Sequence, residues 1–114
     1  MNELSLLTEL TSRVLDNVAI VHDYIQLKFL DGTVLNLNND VGVDGQLVPS
    51  SSLGESQLRS LVGLTVREVG CTAELLTISF DGVRLLTMTL KPQDWRSPEA
   101  MVLYLPGEPP VVWT

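Results

Sequence analysis

Residues 28–37 read KFLDGTVLNL, and residues 79–88 read SFDGVRLLTM. Each holds an Asp-Gly pair between alternating apolar residues, a strong short-range signal for a β-hairpin. In the first, Ile25, Leu27 and Phe29 share one side of a strand while Tyr24, Gln26 and Lys28 take the other. A three-residue loop, Leu30-Asp31-Gly32, with glycine in the left-handed position, sets Phe29 opposite Thr33, Leu27 opposite Leu35 and Ile25 opposite Leu37. That register gathers the large apolar side chains on one face. In the second, a two-residue Asp81-Gly82 turn is expected to set Phe80 opposite Val83 and Ile78 opposite Leu85. Leu86, Met88 and Leu90 then fall on the other face, which predicts a strand that is central in its sheet or covered on both sides.

Upstream, Leu4, Leu7, Leu10 and Val14 recur at helical spacing, Asn2 can cap the first turn, and Glu3 and Glu9 lie toward its positive end. A helix is therefore expected over residues 3–15. Between the hairpins, NNDVGVDGQLVPSSS (38–52) has the Asn, Asp, Gly and Ser content of a connector. Ser52 and Glu55 have capping-box spacing, Leu58, Leu61 and Val62 share one side, and Gly63 can end the turn, so a second helix is expected over 54–62.

Aligning the Asp-Gly pairs brings Leu10 near Leu61 and Val18 near Val69. The expected fold is α+β: two helix-plus-hairpin units, 3–39 and 54–90, sharing an antiparallel sheet within a single domain, 1–114. Duplication and the chance recurrence of a common hairpin both account for the echo. Residues 91–114 form a C-terminal extension. In it Met101–Leu105 reads as a strand rather than a helix, and Val111–Trp113 as a short edge strand after Pro109 and Pro110.

Composition bounds the function. Of 114 residues, 45% are apolar and 18% charged, as expected of a folded globule. Seven basic residues against fourteen acidic ones give a formal charge of −7, and the basic residues are scattered, which argues against nucleic acid and anionic membranes. Any electrostatically steered partner should be basic. The one cysteine, Cys71, permits no internal disulfide or cysteine-based zinc site and suits a reducing cytoplasm. The first residues lack a secretion-signal pattern, and no apolar run reaches the length of a membrane span.

Candidate chemistry is sparse. Asp40, Asp44 and Gly45 faintly resemble a calcium loop, but Ser51 stands where the twelfth-position glutamate belongs, so an acidic turn is the better reading. His22 and Asp23 are neighbours on a strand and point to opposite sides. Glu68 and Glu74 near Cys71 would raise its pKa rather than activate it, and the serines of PSSSLGES (49–56) are explained by capping. Trp95 is read as closing the core, while Trp113 fits either core closure or an interface. No cofactor or metal is expected.

LVGLTVREV, then LTISFDGVRLLTM, then DWRSPEA resemble small bacterial proteins of uncharacterised function that share an L-V-G-x-T-V-x-x-V stretch, an L-x-F-x-D-G hairpin and an acidic-aromatic tail. The likeness spans about residues 58–105, with a weaker echo over 10–39. Here Trp95-Arg96-Ser97-Pro98-Glu99-Ala100 replaces the acidic-aromatic string. Such proteins are similar to toxin-neutralising immunity proteins. That likeness implies a cytoplasmic inhibitor and supplies no catalytic residue.

The expectation is a non-enzymatic module that binds a basic protein through Asp40, Asp44, Glu68, Glu74, Trp95 and Trp113. Alternatives are a self-associating homodimer and an enzyme of unknown type.

Overall fold

The computed structural model describes residues 6–21, 24–49, 51–95 and 98–113. The chain is α+β, with ten strands in two antiparallel sheets and one α-helix among those residues. The strands are β1 (Leu15–Val21), β2 (Tyr24–Phe29), β3 (Val34–Leu37), β4 (Val41–Val43), β5 (Gln46–Leu47), β6 (Val66–Cys71), β7 (Leu75–Phe80), β8 (Arg84–Thr89), β9 (Met101–Tyr104) and β10 (Val111–Trp113). Helix α1 is Ser52–Arg59. Rather than one shared sheet there are two, ordered β1-β2-β3-β9-β10 and β5-β4-β8-β7-β6. Their inner faces contribute to one buried cluster containing Leu27, Phe29, Leu35, Ile78, Phe80 and Leu86.

The first hairpin has the register its alternation predicts. Ile25 faces Leu37, Leu27 faces Leu35, and the Phe29 N–H donates to the Thr33 carbonyl at 2.9 Å. Gly32 has φ +96°, which an L-residue adopts only with strain. Asp31 fixes the loop by accepting from the Thr33 amide at 3.0 Å and from its hydroxyl at 2.9 Å.

The second hairpin departs by one residue. Phe80 faces Arg84, Ile78 faces Leu86 and Leu76 faces Met88, so the loop is Asp81-Gly82-Val83 rather than two residues. Val83 is 98% exposed, at φ 61°. A left-handed β-branched residue costs about 1–2 kcal/mol. The longer loop turns Leu86, Met88 and Leu90 into the core, and burying a side chain of that size contributes about 1.5–3 kcal/mol. The two-residue register would instead turn Val83, Leu85, Thr87 and Thr89 inward, so the longer loop gains one more large apolar side chain and keeps two hydroxyls out of the core, which outweighs one strained residue.

Both helix expectations need correction. Leu6 and Leu7 are helical, but rather than running to residue 15 the helix passes into a 3-10 turn at Thr8–Leu10, and the chain reverses at Ser12 (φ 74°) to enter β1; residues 3–5 lie outside the described residues. Backbone groups that a longer helix would use are taken by the segment facing it. Ser12 N–H donates to Val66 O at 2.8 Å, Leu15 N–H to Leu64 O at 3.0 Å, and Val66 N–H to Arg13 O at 2.9 Å. The second helix begins and ends earlier than its apolar spacing predicts. Ser51 is the N-cap, without a side-chain cap bond, and Leu61 lies in a following turn whose N–H reaches Leu58 O at 3.0 Å. Leu58 and Leu61 are nonetheless both fully buried.

The stretch read as a connector holds a third hairpin, β4–β5, turning at Asp44 (φ 52°) and Gly45 (φ 85°). Nor is the C-terminal segment an appendage, because β9 pairs with β3 and β10 closes that sheet's edge. Met101–Tyr104 is a strand, as its apolar run predicts.

Many contacts recur 51 positions along the chain. Leu15 faces Phe29 and Val66 faces Phe80, each followed by a bulge. Leu30 N–H donates to Val14 O and Asp81 N–H to Thr65 O, both at 3.0 Å, and Val14 and Thr65 bridge one another. After each meander the chain crosses to the other sheet: β4 pairs with β8, and β9 with β3.

At the start of α1, Gly54 is buried so closely against the Pro49 backbone that an added Cβ would lie 1.8 Å from Pro49 O. Glycine to alanine in a helix normally stabilises by about 1 kcal/mol. Here the sign should reverse, with Gly54→Ala costing about 1–3 kcal/mol as overpacking does. A fall in the urea midpoint at unchanged slope is the expected result; a rise would refute the close approach.

Candidate functional site

The chain carries a surplus of acidic residues. Four arginines are spent internally: Arg13 on Asp31, Arg59 on Glu55 at 3.0 Å, Arg67 on Asp81 at 2.8 Å and Arg84 on Asp44 at 2.7 Å. Glu68, Glu74 and Glu108 are exposed. Among the described residues no group of three or more His, Cys, Asp or Glu side chains is placed to hold a metal ion. His22 and Asp23 lie outside the described residues. No helix among them is long and apolar enough to cross a membrane.

The six residues singled out from sequence separate into groups. Asp40, Glu74 and Trp95 come together by backbone at one end of the second sheet. Thr89 N–H donates to Asp40 O at 3.4 Å, Leu90 N–H to Glu74 O at 2.8 Å, and the Trp95 indole N–H to Leu90 O at 2.9 Å. Trp95 is half-buried against the core, in keeping with core closure. Asp94 joins this end by accepting from the Thr89 hydroxyl at 2.8 Å. Asp44 and Glu68 lie toward the other end of that sheet, beside Leu85 and Ser79 respectively. Trp113 is in the other sheet, opposite Met101, and at 9% exposure it belongs to the core. Cys71 is half-buried against the same core.

Asp44 is exposed yet tightly held. Its carboxylate accepts from the Leu85 amide at 3.0 Å and from Arg84 Nε at 2.7 Å. The amide bond first, and then Arg84, hold its pKa below the usual carboxylate value. At Asp31 burial pushes the pKa up, but the Thr33 amide and hydroxyl and the Arg13 charge together carry it below the ordinary value. Both carboxylates are thereby committed to their hairpins.

A groove of about 580 Å³ opens between the N-terminal turn and the β9–β10 loop. Leu6, Leu105, Pro106 and Val111 give it apolar walls, and Glu9 and Glu108 add two carboxylates. Arg13 also lines it, but its guanidinium pairs with Asp31 and, at 3.8 Å, with the Glu9 carboxylate, and its Nε donates to Glu9 O at 2.6 Å. Glu9 and Glu108 were absent from the residues singled out by sequence. The available signal was the loop LPGEPP (105–110), which places a carboxylate among stiff, apolar prolines between two strands.

The sign of the Asp44 shift fixes a pH dependence. A folded-state pKa below the unfolded value near 3.8 contributes stability above that value, and the contribution is lost as pH falls through the folded pKa. Asp44→Asn should therefore lower the urea midpoint at pH 7, and the gap to the parent protein should narrow below about pH 4. A gap of equal size at both pH values would show that the carboxylate's charge is not what matters.

Comparison with protein-family models, with curated proteins and with solved structures finds no match for this chain.

Proposed function

We propose that this chain is a non-enzymatic protein-binding module of the immunity-like kind, acting in the cytoplasm and meeting a basic partner through its acidic surface. The observation that carries this reading is the internal use of arginine. Arg13, Arg59, Arg67 and Arg84 each pair at the surface with a carboxylate of the same chain, so the carboxylates in excess of the basic residues set the sign of the outward charge. Such a surface accelerates encounter with a cationic protein and repels nucleic acid. The contacts recurring at 51-residue spacing support a second part of the proposal: two equivalent units, about 3–39 and 54–90, compose a single domain. Asp40, Glu68 and Glu74 remain candidate partner contacts, with Trp95 at the border of the first group. Asp44 contributes charge but is anchored by its own hairpin, and Trp113 acts through the core.

The test is capture of the native partner followed by titration at two salt concentrations. Affinity should fall about tenfold or more between roughly 0.05 M and 0.3 M salt, and fall again for Glu68→Gln combined with Glu74→Gln. Salt-independent binding would remove the electrostatic basis of the proposal.

A second reading, a homodimer, has its own observation. On the first sheet's outer face Gln26 Nε2 donates to Asn36 Oδ1 at 3.2 Å, and Val34, Val102, Tyr104 and Val112 share the outward positions. No acid occurs in strands β2, β3, β9 or β10, so this is the face where two copies of net charge −7 would repel least. Sedimentation decides it: a dimer at tens of micromolar supports this reading, and a monomer at that concentration ends it.

A further inference from the structure

We propose that the groove between the N-terminal turn and the β9–β10 loop receives an arginine side chain, flanked by apolar residues, from the protein partner. The proposal rests on the basic-partner reading and assigns that partner's chemistry at one place.

The second half of the chain supplies the comparison. There Arg84 crosses between hairpin β4–β5 and the turn after α1. Its Nε donates to Asp44 at 2.7 Å, one terminal nitrogen to the Ser60 hydroxyl at 2.8 Å, and the other to Ser60 O at 3.3 Å. The matching places in the first half follow from the backbone pairings. Thr11 N–H bonds to Thr8 O as Val62 N–H bonds to Arg59 O, which makes Glu9 the counterpart of Ser60. Met101 faces Leu37 as Val41 faces Met88, and Leu103 faces Leu35 as Val43 faces Leu86, which makes Tyr104 the counterpart of Asp44. Thr33 stands where Arg84 does, fully buried and with its hydroxyl on Asp31.

A threonine cannot span what an arginine spans. The first half therefore keeps an open groove of about 580 Å³ where the second is bridged by its own guanidinium. That volume lies within the range of about 300–1,000 Å³ usual for ligand pockets. Its charge is complementary to the absent side chain: Glu9 and Glu108 line it, and Arg13, shared between Asp31 and at 3.8 Å the Glu9 carboxylate, leaves Glu108 with no ion pair to Arg13. Leu105, Pro106 and Val111 offer apolar surface to the side-chain stem and its neighbours. A guanidinium suits two separated carboxylates better than an ammonium does, because its planar fork donates in several directions.

The test is amide chemical-shift mapping of the full chain with two probes, acetyl-Leu-Arg-Leu-amide and acetyl-Leu-Gln-Leu-amide, at millimolar concentration. The arginine peptide should shift the amides of Glu9, Arg13, Leu105 and Val111, and the glutamine peptide should not. Combining Glu9→Gln with Glu108→Gln should weaken the arginine peptide about tenfold, the loss of two charge-assisted contacts at an exposed site. Glu68→Gln with Glu74→Gln should leave it unchanged. Shifts centred on Glu68 and Glu74 instead would overturn the groove assignment while leaving an acidic binding surface in place. Equal shifts from both peptides, or none from either, would overturn the assignment outright. Failure of the broader reading appears separately, as a native complex insensitive to salt.

Discussion

The whole arrangement depends on an exchange of strands. A three-stranded meander buries one face and leaves its last strand unpaired along an edge, and each meander here has that edge filled by a strand from the other side of the molecule. Strand β4 leaves β3 and joins β8, while β9 follows β8 in the chain and joins β3. The opposite edges meet through the Val14–Thr65 bridge and the backbone bonds around it. Neither sheet is complete without chain from both halves, and the apolar cluster between them is shared for the same reason.

How much of this was legible depended on whether local rules had a competitor. The first hairpin did not: Asp31, Gly32 and the alternation from Ile25 to Leu37 agree on one register, and that register is present. At the second hairpin the turn chemistry of Asp81-Gly82 competed with the burial of Leu86, Met88 and Leu90, and burial prevailed. The β4–β5 hairpin carried the same Asp-Gly signal at Asp44-Gly45, but its strands are so short that polar flanks concealed them. The N-terminal segment has helical spacing, yet its backbone is recruited by Leu64 and Val66, partners far away in sequence. No window of local sequence contains that competition.

Of the candidate site, the sequence carried the sign of the net charge and little else. Net charge raises the expectation of a basic partner, and the acidic residues most conspicuous in the sequence lie in or near turns. Asp44 proved to be occupied with Leu85 and Arg84, and Trp113 with the interior. Glu9 and Glu108 are a whole chain apart, and what relates them is that β9 lies beside β3. Proximity of that kind is a property of topology.

Strand exchange also dictates an order of events during synthesis. When the ribosome has delivered β1, β2 and β3, the strand that must seal them is still some sixty residues from being made. The nascent N-terminal portion therefore waits with an unsealed edge, exposed to chaperones or to a neighbouring copy, until β9 emerges. Pairing so distant in sequence carries a large loop-closure cost and slow kinetics, so acquisition of the native state is a late event that the C-terminal strands trigger.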